Sequence, residues 1–134
     1  MPHDVLAEYL KEVEKAIGHL PDVYLELYEE EILANERVNL RIRVRFYNGC
    51  LLQLNEAVIF QTKFEHLGYR YHFQDKNSEL IFRYDNTPHF PDLPNFPHHK
   101  HSPAGAEPSK APSILSAIAE AAEISRKYER TKVS

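Results

Sequence analysis

The chain of 134 residues has one cysteine, no tryptophan and only four glycines. With Cys50 alone there is no internal disulfide framework, and a reducing compartment is the expectation. Cys50 lies beside a turn, where it reads either as a reactive thiol or as a small apolar strand residue. No run approaches the ~20 apolar residues that span a bilayer, and the N-terminus lacks a leader pattern. The expected location is cytoplasmic, with no membrane partner. The chain also has no P-loop, GxGxxG, GxSxG or CxxC. Nucleotide hydrolysis, dinucleotide redox chemistry and serine-hydrolase chemistry are therefore poorly supported, and no cofactor is expected. A net charge of −4 argues against a wholly basic nucleic-acid binder.

The charge is unevenly spread. Met1–Glu36 holds ten acids and two lysines, whereas Arg37–Lys110 holds ten Lys/Arg, seven acids and six histidines. With 43% hydrophobic residues the chain can bury a core, and its length fits one domain. Within it, 1–20 reads as an N-terminal helix. Asp4 is its N-cap, Leu6, Tyr9, Leu10, Val13 and Ile17 form its apolar stripe, and Gly18 is its stop.

From Val23 the period changes to two, and 22–85 reads as an antiparallel sheet. In the strand from Val38, Leu40, Ile42 and Val44 alternate with Arg41, Arg43 and Arg45. A three-residue loop, Tyr47-Asn48-Gly49, keeps apolar residues opposite apolar residues: Val44 meets Leu52, Ile42 meets Leu54, and Arg43 meets Gln53. Leu51–Phe60 is the third strand and 61–68 a connection. A last hairpin turns at 75–78, setting Tyr71 opposite Phe82 and Tyr69 opposite Tyr84. Arg70, His72, Gln74 and Arg83 lie on its other face. The segment 86–110 reads as a Pro/His-rich loop, with Ser102–Lys110 mobile. Pro88, Pro91, Pro94 and Pro97 recur at the polyproline period, which would hold His89 and His98 roughly 28 Å apart if straight. Ser113 caps a final helix over 113–130, with Leu115, Ile118, Ala121, Ala122 and Ile124 inward. The expected fold is α+β: an antiparallel meander of about five strands with both helices on one face.

Two features carry chemistry. The arginine row is a seat for a polyanion or an ordinary solvated face paired with the acidic first strand through Glu26 or Glu30. The run His98-His99-Lys100-His101 reads as an acid/base group, a clasp on the sheet edge, or half a metal site. No Cys pair or HExxH accompanies it and Lys100 repels a cation, so no metal is expected. The aromatics Tyr69, Tyr71, Phe73, Phe82 and Tyr84 fit a core face better than a base-stacking platform.

The stretches YRYHFQ (69–74), LIFRYDNTPHF (80–90) and FPHHKH (96–101) together resemble the TumE-type toxins of bacterial and archaeal toxin–antitoxin modules. The resemblance covers Val38 to His101. It rests on Tyr71, His72, Arg83, Asp85, Asn86, Pro88, His89, Phe96, Pro97, His98, His99 and His101. Where the pattern has two adjacent histidines after Pro88, this chain has His89-Phe90. The resemblance implies a small cytosolic toxin with a helix-turn-helix antitoxin as its direct binding partner, and a ribonuclease activity. The expected toxin acts on RNA without metal. His72, Arg83, His98, His99 and His101 are its catalytic candidates. Arg41, Arg43, Arg45, Arg70 and Lys100 are expected to bind RNA, and Asp85, Asn86 and His89 to support the loop. The alternatives are a non-catalytic RNA-binding or protein-interaction module and a metal-binding histidine cluster.

Overall fold

A computed structural model of the chain describes residues 4–34, 36–86 and 97–132. Its elements run α1 (Asp4–Gly18), β1 (Val23–Leu33), β2 (Arg37–Phe46), β3 (Leu51–Phe60), β4 (Phe64–Gln74), β5 (Leu80–Asp85), β6 (His99–Ser102), β7 (Gly105–Pro108) and α2 (Ile114–Lys132). The seven strands form one antiparallel sheet in sequence order. Both helices pack on one face of it.

The strongest alternation produces the most regular part. Val38, Leu40, Ile42 and Val44 are buried, and Leu6, Leu10, Val13 and Ile17 of α1 close over the same core. The β2–β3 register is the one the pattern demands: Val44 faces Leu52, Ile42 faces Leu54 and Arg43 faces Gln53. Gly49 sits at φ 95° in the three-residue loop, where a side chain is disfavoured. A Cβ there would also stand 2.6 Å from the Cβ of Lys76. Cys50 beside it, just before β3, is fully buried, which fits a small packed apolar residue.

Three expectations about the sheet need correction. The sheet has seven strands, not about five, because His99–Ser102 and Gly105–Pro108 extend it. HKHS and GAEP carry no apolar alternation, so they gain strand structure only from the neighbour that supplies their hydrogen bonds. The connection after β3 is shorter than 61–68, because β4 starts at Phe64 and a register irregularity beside Gly68 leaves Leu67 exposed. The β4–β5 hairpin is shifted by two: Tyr71 faces Tyr84, Phe73 faces Phe82 and His72 faces Arg83. Its loop is longer because the Asp75 carboxylate accepts from the backbone N–H groups of Asn77 and Glu79. An even shift keeps every side chain on its expected face.

In α2, Ser113 caps through its Oγ, which accepts from Ser116 N at 3.0 Å. Its buried stripe is Ile114, Ala117, Ile118 and Ala121, while Leu115 points outward. The i, i+3, i+4, i+7 spacing from Ile114 sets that face. Among the described residues no helix is long and apolar enough to cross a membrane.

Candidate functional site

The face of the sheet away from the helices collects the polar residues in rows, because antiparallel neighbours share a face. One row runs Arg43–Gln53–His72–Arg83–His101 across β2 to β6. The next runs Glu29–Arg41–Asn55–Arg70–Asp85–His99. With strands about 4.8 Å apart, His72 and His101 flank Arg83 with roughly 10 Å between their backbones. A cleft of about 490 Å³ on this side is bordered by Arg41, Asn55, Arg70 and Asn86.

Asp85 is the hub. Its Oδ1 lies 2.8 Å from Nε2 of His99, and its Oδ2 lies 3.4 Å from Nε of Arg83 and 3.7 Å from Nε2 of His101. Asp85 and His99 are both buried. The other nitrogen of His99, Nδ1, lies 2.9 Å from the Pro97 carbonyl, which can only accept. Both ring nitrogens of His99 thus lie against oxygen atoms, which fixes the orientation of the ring. The rings of His99 and His101 meet edge-on at 4.7 Å.

His72 is half-buried. Its Nε2 lies 2.9 Å from Gln74 Oε1, and its Nδ1 is buried without a hydrogen-bond partner among the described residues. With Nε2–H donating to Gln74, Nδ1 keeps its lone pair. Burial lowers the pKa of His72 from the ordinary 6.5. The Gln74 hydrogen bond opposes this, and the charges of Arg83 and Arg70 add to it.

The remaining candidates divide. Arg41, Arg43 and Arg45 are on the outer face, with side chains 63%, 47% and 34% exposed, but they are not free. Arg41 pairs with Glu29 at 3.5 Å, and Arg43 and Arg45 share Glu26 at 4.0 and 3.1 Å. The acidic first strand therefore neutralises much of the row. Arg70 is exposed beside Asp85. His98 stands apart from the cluster: its Nδ1 is 2.8 Å from the Tyr69 hydroxyl and its ring stacks on Tyr69. Lys100 alternates to the helix face, where it binds Glu120 at 3.0 Å and lies over the Tyr84 ring. Asn86 accepts from the backbone N–H of Tyr69 in β4 at 3.0 Å. His89 lies outside the described residues.

One polar group was not anticipated. Glu56 is buried on the helix face, at the position in β3 where Leu52, Leu54 and Val58 point. It accepts from the hydroxyls of Tyr9 and Tyr71 and lies 3.3 Å from His66 Nε2. Burial first, then the Glu56 charge and hydrogen bonds, raise the pKa of both phenols. The signal was a charged residue at a core-parity position.

Asp85, His99 and His101 offer ligand atoms that all lie within 4.8 Å of one another. Two imidazoles and a carboxylate suit a divalent transition ion. Arg83, bound to the same carboxylate, places a positive charge where such an ion would sit and opposes it. No curated protein and no solved structure matches this chain. The family model described as Toxin TumE matches residues 5–128, from the first turn of α1 into the last turns of α2, and the chain belongs to the TumE toxin family.

Proposed function

We propose that this toxin of a toxin–antitoxin system cleaves RNA without metal, at the row His72–Arg83–His101. The observation that carries the reading is the placement of two histidines on either side of one arginine on three adjacent strands. His72 takes the proton of a 2′-hydroxyl once its ring turns to bring the unprotonated nitrogen to the surface, because Nδ1 is buried in the unbound chain. The 2′-oxygen attacks the adjacent phosphorus, and the 5′-oxygen leaves with a proton from His101. The products are a 2′,3′-cyclic phosphate and a 5′-hydroxyl. Arg83 and Arg70 offset the charge of the phosphorane, and Asp85 provides the counter-charge beside His101. The reacting phosphodiester has to enter between side chains that lie low on the face, which favours single strands over duplex. Arg43, with the other row arginines, holds the backbone further along. His99 is a positioning residue, fixed between Asp85 and Pro97.

The test uses purified, antitoxin-free protein and total cellular RNA. Cleavage is expected with EDTA present and with cyclic-phosphate ends. His72→Ala and His101→Ala should each lower it about 10²-fold or more while RNA binding stays within a few fold, and Arg43→Ala should act on affinity. Activity lost with EDTA and restored by a divalent ion would shift the chemistry to Asp85, His99 and His101. Absence of cleavage would leave a binding module.

A further inference from the structure

Among the described residues β1 ends the sheet, hydrogen-bonded to β2 on one side only. An edge of eleven residues is long, and unpaired edge groups are a template for another strand. Tyr24, Leu25, Ile32 and Leu33 are 41–59% exposed along it. The helix face of β1 is also incompletely roofed. A groove of about 560 Å³ lies between α1 and β1, lined by Ile17 and Gly18 on one side and Leu25 and Tyr28 on the other, with Glu14 and Glu30 at its rim. Among the described residues neither of these glutamates is in an ion pair, whereas Glu26 and Glu29 on the opposite face already bind arginines.

The charge selects the occupant. β1 contains four glutamates and no lysine or arginine. Antiparallel pairing with a second copy would bring the run Glu29-Glu30-Glu31 towards glutamates of the same strand, which opposes a dimer. A basic strand meets no such penalty. The toxin family supplies the partner class, an antitoxin. We infer that β1 is the antitoxin's docking edge, taking an extended segment that adds an eighth strand. On the helix face of that segment, apolar side chains lie over Leu25 and Tyr28 and Lys/Arg side chains meet Glu14 and Glu30. This inference stands apart from RNA cleavage, because β1 lies at the other end of the sheet from β4–β6.

The probe is a capped nine-residue peptide in which threonine alternates with valine, isoleucine or lysine, so that the apolar residues and the lysines share one face, and its control has glutamate in place of lysine. Amide hydrogen exchange on the full chain should show new protection confined to the outward amides of β1. Glu30→Lys, at an exposed position, should weaken binding of the lysine peptide about ten-fold, the loss of roughly 1.4 kcal/mol. The glutamate peptide should bind at least as weakly to the unaltered chain. Unchanged exchange of the β3 amides shows that the variant is folded. Protection on β2–β5 instead of β1, equal binding of the two peptides, or a β1-mediated dimer by light scattering would overturn the inference.

Discussion

Replacing Asp85 with asparagine tests whether one carboxylate holds the site together. The Asp85 side chain is 6% exposed and that of His99 1%, with 2.8 Å between Oδ1 and Nε2. Breaking a buried pair by removing one partner costs about 3–5 kcal/mol. The asparagine oxygen can still accept from one ring, which puts this contact at about 2–3 kcal/mol. Arg83 and His101 are partly solvated and more distant, so each adds about 0.2–1 kcal/mol. The total is a loss of roughly 3–4 kcal/mol. With a urea slope of about 2 kcal/mol/M, the midpoint should fall by about 1.5–2 M. The chain has eight tyrosines and no tryptophan, so tyrosine fluorescence and circular dichroism are the probes. Cleavage by the variant, measured without urea, should fall about 10²-fold because His101 and Arg83 lose their common anchor. His99→Gln removes the same buried pair but leaves Asp85 with Arg83 and His101. It should cost nearly as much stability and less activity. A midpoint lowered by less than about 0.5 M in Asp85→Asn, with cleavage unchanged, would refute the claim that this carboxylate organises the face.

Two further outcomes follow from the buried polar groups. Tyr71→Phe removes one phenol from the buried Glu56 carboxylate and should cost about 1.5–3 kcal/mol by urea unfolding; a loss below about 0.5 kcal/mol would mean that His66 and Tyr9 satisfy Glu56 alone. Because the pKa of His72 is lowered from 6.5 by burial, and further by Arg83 and Arg70, the folded chain binds fewer protons there than the unfolded chain. Its contribution to stability is complete above about pH 6.5 and declines as pH falls through that value to the folded pKa. If His72 is the base, the acidic limb of the kcat/KM profile lies below 6.5, and Arg70→Gln moves it upward. A limb that stays in place in Arg70→Gln while cleavage persists would exclude His72.

How much of this was legible depends on what each strand tells its neighbour. β2 and β3 each carry their own alternation, so Arg43 opposite Gln53 follows from hydrophobic matching alone. The β4–β5 faces followed for the same reason, but the exact partner did not, because the Asp75 carboxylate lengthens the loop without altering the pattern. β6 has no pattern of its own. Its pairing joins Asp85 to His99, and only then does strand alternation separate His99 and His101 from Lys100. Reading the four residues as a loop left Lys100 grouped with the basic residues and His98 with the catalytic ones. Glu56 broke the core alternation of β3 openly, but a lone acid does not reveal that two tyrosines from distant segments will meet it.

The two rows on the polar face differ in the charge they leave unbalanced, which bears on where the proposed RNA backbone would lie. The row from Glu29 to His99 contains its own carboxylates, at Glu29 and Asp85, each facing an arginine or histidine. The row from Arg43 to His101 contains no carboxylate; Glu26 reaches only its β2 end, at 4.0 Å from Arg43, and Asp85 reaches its far end from the neighbouring row. Between those ends stand Gln53 and His72, which are neutral, and beyond them Arg83. A polyanion running across the strands therefore meets positive charge at Arg43 and Arg83 and two histidines that flank the second of these. One running along the strands meets Asp85 within two residues of Arg83. On the proposed reading, the same alternation that separates core from surface would favour a backbone path perpendicular to β2–β6, with the proposed acid/base pair where that path would cross β4, β5 and β6.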